Sequence, residues 1–267
     1  MNTTAMKRYN GLREFWAALA NPHLWALLAW YDIRQRYRRS ILGPFWVTLS
    51  TGIMIGTMGL LWSELFKNDI TSFLPFFAIG NVLWTFYASQ INEACTGFTQ
   101  FETTIKQIRF PMGVYLLRIL VRNLIILAHN CVIIVIVIAL LGPSLTWYAL
   151  LAIPGLFLGT VAMLAISMIV SVFCTRFRDM PMIVSNVIMV LFYLTPIIWR
   201  PEALGNKYHW VADYNPFAHL VEIVRAPIIN AQFPGESWIW SLATTFVLLV
   251  AGIALQGRFR DRIAYWL

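Results

Sequence analysis

Charge is scarce in this sequence. Asp, Glu, Lys and Arg make up 12% of the 267 residues, about half the share usual in a soluble domain. Apolar residues make up 59%, and the mean hydropathy is +0.68. A water-soluble fold of this size has too little core to hide so much apolar surface. That excludes an ordinary soluble enzyme, a disordered chain and a disulfide-stapled secreted module, and leaves a polytopic membrane protein. Cysteine is limited to Cys95, Cys131 and Cys174, which are scattered and odd in number. They give neither a disulfide framework nor metal spacing. Cys131 is expected inside a helix and the other two near the cytosolic face.

Other absences narrow the function. No Gly-Lys pair exists, since Lys7, Lys67, Lys106 and Lys207 follow Met6, Phe66, Ile105 and Asn206. A P-loop is therefore excluded, and with it an ATP site of that kind. The histidines His23, His129, His209 and His219 show no zinc-ligand spacing, and no G-x-S-x-G elbow occurs. No paired carboxylates lie within the apolar runs, so a proton-coupled carrier finds little support. No catalytic residue, metal site or resident cofactor is expected. A transporter built on this chain takes its energy from another subunit. Met1 to Trp16 lacks a signal-peptide core, which leaves the apolar helices as the targeting signal.

What is present is a series of apolar runs near the bilayer-spanning length of about 20 residues. The six candidates are Phe45–Trp62, Phe73–Ile91, Val114–Leu141, Leu150–Cys174, Met182–Trp199 and Trp238–Gln256. Sixteen of the twenty Lys and Arg residues fall before the first run, in the second-to-third and fourth-to-fifth connections, after the sixth, or, as Arg118 and Arg122, just inside the start of the third. Lys67, Arg200, Lys207 and Arg225 fall on the other side. The positive-inside rule then puts both termini in the cytoplasm. The net charge of +8 reflects topology and headgroup contact, not nucleic acid. Trp62, Trp147, Trp199, Trp238 and Trp240 fall at outer ends and Trp46 at an inner end, as indole favours the headgroup level. Trp84 lies near mid-span.

Residues 1–44 are read as a cytoplasmic or interfacial segment, and 45–267 as a six-helix membrane domain. Asn21-Pro22 is an N-cap with proline at the first helical position. Ile33, Tyr37 and Ile41 recur every four residues on one face, with arginines around the rest. This predicts a basic amphipathic helix on the inner membrane surface, broken by Leu42-Gly43-Pro44. Between the fifth and sixth runs, Asn215-Pro216 starts a short helix expected to run to about Arg225 and stop before Pro227. Such short outer helices are read as re-entrant. The fold class is thus an all-α membrane protein of six spans.

Several stretches carry a family likeness. Tyr31–Trp46 (YDIRQRYRRSILGPFW) resembles the N-terminal signature of the ABC-2-type polysaccharide export permeases. Lys106–Pro111 (KQIRFP) is similar to the family's basic stretch before Phe-Pro, Arg176–Asp179 (RFRD) to its Arg-Asp motif, and Tyr193–Ile197 (YLTPI) to its Thr-Pro motif. Asn215-Pro216-Phe217 with His219, Glu222 and Arg225 resembles its outer helices. The likeness runs in order along essentially the whole chain.

The resemblance implies a permease subunit of a bacterial inner-membrane exporter. Two copies pair with two ABC ATPase subunits, which hold ATP and Mg. The cargo it implies is a polysaccharide on a polyprenyl diphosphate lipid, O-antigen first, with capsular polysaccharide or teichoic acid as alternatives. It places ATPase contacts on the N-terminal helix and the second-to-third connection, for which Arg34, Arg36, Tyr37, Arg38, Leu42, Gly43, Lys106 and Arg109 are the candidates. An intramembrane transferase is the rival of another class, with Arg176, Arg178 and Asp179 as its thin polar cluster. Those three residues are expected rather to form a salt bridge that fixes a turn.

Arg118, Arg122 and His129 are spaced i, i+4 and i+11, on one face of the third run. The two arginines are either lipid anchors that snorkel or receivers of the substrate diphosphate, which suits an arginine fork. His129 and Asn130 are read as an interhelical hydrogen-bonding pair. Gly52, Gly56 and Gly59 make a smooth stripe for close packing or a channel wall. Trp84, Tyr87 and Tyr193 are the channel aromatics, because sugars stack on ring faces. Glu222 and Arg225 are expected to pair.

Overall fold

The computed structural model describes residues 11–38, 43, 45–108, 110–204 and 209–267. Among these residues every regular element is helical. Two short helices open the chain, α1 (Gly11–Leu19) and α2 (Pro22–Arg36). Pro22 begins α2, where its missing N–H costs nothing. The Asn21 side chain does not cap it; its Nδ2 donates back to Ala17 O at 2.7 Å. The helix ends at Arg36, earlier than the expected break, and Tyr37 follows it as a cap. Only Ala29 and Ile33 of α2 are buried.

Four long helices follow: α3 (Phe45–Leu65), α4 (Ile70–Cys95), α6 (Gly113–Leu141) and α7 (Ala152–Arg176). The short α5 (Glu102–Gln107) stands between α4 and α6. Then come α8 (Met180–Leu194), α9 (Trp210–Asp213), α10 (Pro216–Ile229) and α11 (Gly235–Trp266). Among the described residues five helices are long and apolar enough to cross a membrane: α3, α4, α6, α7 with its leading turn, and α11. The fifth expected span is shorter. At 15 residues, α8 reaches about 22 Å, below the roughly 30 Å of a bilayer core. Pro196 sets the limit by forcing Thr195 into extended backbone (φ −90°, ψ 135°). The chain then folds back, and Trp199 Nε1 donates to Tyr193 O at 2.9 Å.

The core sits around α4, which packs against α3, α6, α7, α8 and α10. Phe73, Phe77, Tyr87 and Tyr115 are fully enclosed there. The outer faces of α3, α8 and α11 are apolar and exposed, through Ile53, Leu61, Met182, Val190, Phe246 and Val247 among others. Faces this apolar require a lipid or protein cover. The residues after the sixth expected span are not a loose tail. They continue α11, which at 32 residues is about 48 Å long.

Helix α10 is set deep among α4, α7 and α11. Asn215 caps it, Oδ1 accepting from Phe217 N at 2.9 Å. Contrary to expectation, the helix runs through Pro227 to Ile229. Pro227 has no N–H for Ile223 O. That carbonyl instead lies against Gly155 of α7, where an added Cβ would stand 2.7 Å from it. Only glycine permits so close an approach.

Candidate functional site

At the end of the molecule that carries α2, three helices meet in a lattice of charges. Arg118 of α6 takes both oxygens of Asp32 on α2: Nε donates to Oδ2 at 2.6 Å and Nη2 to Oδ1. One turn on, Arg122 donates to Asp32 Oδ2 at 3.3 Å and to Glu93 Oε2 of α4 at 2.6 Å. Arg36 donates to Glu93 Oε1 at 3.3 Å, which returns the lattice to α2. Asn123 donates to both Glu93 Oε2 and Gln90 Oε1 at 2.9 Å, and Gln90 donates to Ser167 of α7 at 2.9 Å. The Arg118 guanidinium also lies 4.3 Å over the Phe101 ring.

This lattice holds three guanidiniums against two carboxylates. It is also rich in donors. Arg122 is 8% exposed, and its Nε–H has no acceptor. Such a site can lock helices together, or it can take a group with more anionic oxygens than a carboxylate has. Its level follows from α3. Phe45, the first residue of α3, packs edge-on against His129 with ring centroids 5.5 Å apart. Arg122 and Arg118 come 7 and 11 residues before His129 on α6, about 10 and 16 Å lower. Both lie beyond the start of the first long apolar helix, where headgroups rather than acyl chains are expected.

The remaining interface candidates divide. Arg34 and Arg38 are exposed and, with Tyr31 and Gln35, line a basic hollow on the outer face of α2. Arg36 is drawn into the lattice, and Tyr37 is half-buried with its hydroxyl enclosed and unpartnered. Gly43 has φ +55°, a left-handed conformation that favours glycine. Lys106 is exposed on α5 and pairs with Glu102 at 2.6 Å. Leu42 and Arg109 lie outside the described residues.

A second tie holds the same end. Glu14 of α1 is 5% exposed. Its Oε1 accepts from Met112 N at 3.1 Å, just before α6, and from Arg260 Nε at 2.6 Å, on α11. Burial pushes this carboxyl up from its ordinary 4.5, while the Met112 amide and Arg260 pull it down. Two close approaches frame it. A Cβ on Gly11 would stand 3.0 Å from Gly257 Cα, and one on Gly113 would stand 2.8 Å from Ala18 Cβ.

The channel aromatics do not share a surface. Tyr87 is 0% exposed and donates to Leu220 O at 3.2 Å. Trp84 is packed between Phe192 and Phe217, at 5.8 and 5.5 Å. Tyr193, 59% exposed, is the one of the three on the exterior. Gly59 is packed under Leu74, whereas Gly56 faces open space.

At the opposite end, two sequence motifs touch. Asn215 Nδ2 donates to Thr195 Oγ1 at 3.0 Å and to Leu194 O at 3.2 Å. Arg225 is buried. It donates to Glu222 Oε2 at 2.6 Å and Pro196 O at 2.7 Å, and lies 3.8 Å over the Phe76 ring. His219 Nε2 lies 2.8 Å from Asp213 O, and the ring stacks on Trp240 at 5.6 Å. A carbonyl only accepts, so Nε2 carries a proton there.

Two expectations give way. His129 does not bond across helices; its Nδ1 meets Ile125 O of its own helix at 2.7 Å, and the Oδ1 of Asn130 is buried without a partner. Among the described residues no ion pair joins Arg176 or Arg178 to Asp179. Arg176 instead lies over Phe177 and Trp266, at 5.3 and 5.0 Å. The extended backbone at Phe177 that ends α7 turns it toward these rings.

Sequence reading alone missed Asp32, Glu93 and Glu14 as partners. The available signal was the rarity of acids. Asp32 is the one carboxylate in a run of arginines, and Glu93 falls within the last turn of a long apolar helix. A carboxylate in such surroundings needs a cation.

Residues 23–229 match the family model of the ABC-2 type transporter. An O-antigen export system permease protein, RfbA, from Klebsiella pneumoniae is 28% identical over 240 residues, 87% of this chain and 90% of the relative. The RfbA O-antigen export permease of Myxococcus xanthus is 22% identical over 221 residues, 82% of this chain and 85% of the relative.

Proposed function

The chain belongs to the ABC-2 type transporter family, and we propose that it is the membrane subunit of an ATP-driven exporter of O-antigen polysaccharide carried on polyprenyl diphosphate. The observation that carries the cargo is the likeness to O-antigen export permeases over 87% of the chain. The chain is a multi-pass protein of the bacterial inner membrane. Residues 45–267 form its spanning unit, with α8 as the sixth crossing despite its length and with α9 and α10 as the re-entrant outer helices. Both termini face the cytoplasm, in line with the sixteen basic residues on that side.

Two copies enclose the path and two ABC ATPase subunits drive it, holding the ATP and Mg that this chain has no P-loop to bind. The ATPases press on residues 1–44 and on the α5 connection, through Arg34, Arg36, Tyr37, Arg38, Leu42, Gly43, Lys106 and Arg109. The lattice supports a direct line from that contact to the cargo. Asp32 and Arg36 on α2 are joined to Arg118, Arg122 and Glu93, so α2 cannot shift without moving the charges near the headgroup level. Arg118 and Arg122 receive the diphosphate, and Tyr193 offers a ring face to the sugars. Trp84 and Tyr87 reach a path only if α8 and α10 move apart.

Export of a capsular polysaccharide or teichoic acid by the same machine is the second reading, since the relatives' identity of 28% leaves room for another glycan. Depletion of the chain in its host separates them. Lipid-linked glycans are extracted from the cytoplasmic leaflet and read by mass spectrometry. A polyprenyl-diphosphate polymer bearing O-antigen sugars is expected to accumulate. Teichoic acid units or a phospholipid-linked polymer reassign the cargo. A polymer that is shortened or unmodified, with none accumulating, contradicts export and favours a transferase.

A further inference from the structure

We infer that Asp32 and Glu93 are stand-ins for the cargo's diphosphate: they occupy Arg118 and Arg122 while α2 is seated, and release of α2 bares Arg118 and leaves Arg122 to Glu93 alone, opening the pair to the lipid headgroup. The inference rests on the proposal that these arginines receive the diphosphate. It adds what holds the site before cargo arrives and how the site is opened.

Four observations carry it. The carboxylates on the two arginines come from other elements, α2 and α4. Occupancy of Arg118, and of one side of Arg122, therefore depends on where α2 sits. The lattice is also short of acceptors, with the buried Nε–H of Arg122 left over, as a carboxylate standing in for a more oxygen-rich group would leave it. The charges match as well. Three arginines face two acids while α2 is seated; its release takes Asp32 and Arg36 away together and leaves Arg118 and Arg122 against Glu93, a surplus of one positive charge with the Arg118 fork empty. A diphosphate supplies at least that much negative charge, and an arginine fork accepts phosphate and carboxylate in the same geometry. Finally, the C-terminal half of α2 is lightly held. Leu24, Trp25, Leu28 and Ala29 pack its first half on the core, but from Trp30 to Arg36 only Ile33 is buried, so the ion pairs are the main hold on that end. A partner that pulls on the exposed Arg34 and Arg38 has little apolar contact to break at that end of the helix. By linkage, diphosphate binding and α2 release then favour each other equally.

The test uses the permease–ATPase complex in nanodiscs of neutral phosphatidylcholine, with tritiated farnesyl diphosphate as the probe. Asp32→Asn and Glu93→Gln each remove a competing charge and keep a hydrogen-bonding side chain. Each is expected to bind the probe at least about fivefold tighter than the native complex, the lower end of ordinary coupling between sites. The double variant Arg118→Gln, Arg122→Gln is expected to lose more than about tenfold. Should Asp32→Asn fail to assemble, Glu93→Gln on α4 gives the answer alone. Weakened or unchanged binding in the acid variants, with loss in the arginine variant, overturns the stand-in role and leaves the arginines as the headgroup site. Unchanged binding in the arginine variant overturns the headgroup reading itself. Repeating the titration in phosphatidylglycerol separates the sources of phosphate. Retained binding assigns the site to the diphosphate, and complete competition assigns it to bulk lipid, against the inference.

Discussion

Arg118 of α6 grips Asp32 of α2 with two parallel donors, one of them Nε to Oδ2 at 2.6 Å. The pair spans 86 positions of sequence and joins the basic surface helix to the bundle. Arg118→Lys keeps the charge and loses the fork. It is expected to lower stability by about 1–2 kcal/mol, read as a lower unfolding temperature in detergent. Arg118→Ala is expected to cost about 3 kcal/mol or more, because Asp32 is left enclosed without its main partner. If lysine proves as stable as arginine, the fork is not what seats α2.

Glu14 sets a pH dependence. Burial raises its carboxyl above 4.5 despite the Met112 amide and Arg260, so the folded chain keeps the proton more readily than the unfolded chain. The resulting stabilisation is full below 4.5 and is lost as pH climbs through the raised value. Glu14→Gln retains an acceptor oxygen and has no proton to lose. The unfolding temperature of this variant relative to native is therefore expected to rise between pH 5 and pH 8. A difference that stays flat or falls shows that Arg260 outweighs burial.

Gly155 and Ile223 mark the closest approach of α7 and α10, where a Cβ would stand 2.7 Å from the carbonyl. Gly155→Val is expected to cost about 1–3 kcal/mol by forcing the helices apart. Thermal unfolding and protease sensitivity of the 209–229 segment report it. Native behaviour of this variant means that α10 is free to slide.

Asn215 both caps α10 and donates to Thr195. Asn215→Ala is expected to cost about 1–2 kcal/mol, while Asn215→Asp keeps the cap and loses only the donor to Thr195 and Leu194 O. Hydrogen exchange at Phe217 distinguishes them: the amide exchanges fast in the alanine variant and slowly in the aspartate one.

Much of the architecture is legible in the sequence because a bilayer leaves a periodic trace. Apolar runs give α3, α4, α6, α7 and α11, and Asn-Pro pairs mark the starts of α2 and α10. Two errors come from proline. Pro196 shortens α8 by enforcing extended backbone before it, whereas Pro227 is accommodated because Ile223 O finds Gly155. Proline's effect depends on the room left for the orphaned carbonyl, and the glycine that leaves it lies 68 positions away. The charge lattice was only half legible. Arg118 and Arg122 stood out by their helical spacing, but Asp32, Glu93 and Glu14 are isolated acids whose partners are chosen by tertiary packing. Trp84 and Tyr87 fall at mid-span, as a channel lining requires, yet periodicity does not tell a lining from a core. The 14 residues of α10, missing from any span, fill the space into which they point.

The measurement that tests the account most directly is reconstituted transport. The chain and its copurifying ABC ATPase are placed in proteoliposomes with a polyprenyl-diphosphate-linked glycan on the ATPase face, and a glycosidase reads the glycan on the other face. The account predicts ATP-dependent appearance of intact glycan there, abolished in Arg118→Gln, Arg122→Gln. Active ATP hydrolysis with the glycan staying on its starting face, or transport undiminished by that double variant, contradicts it.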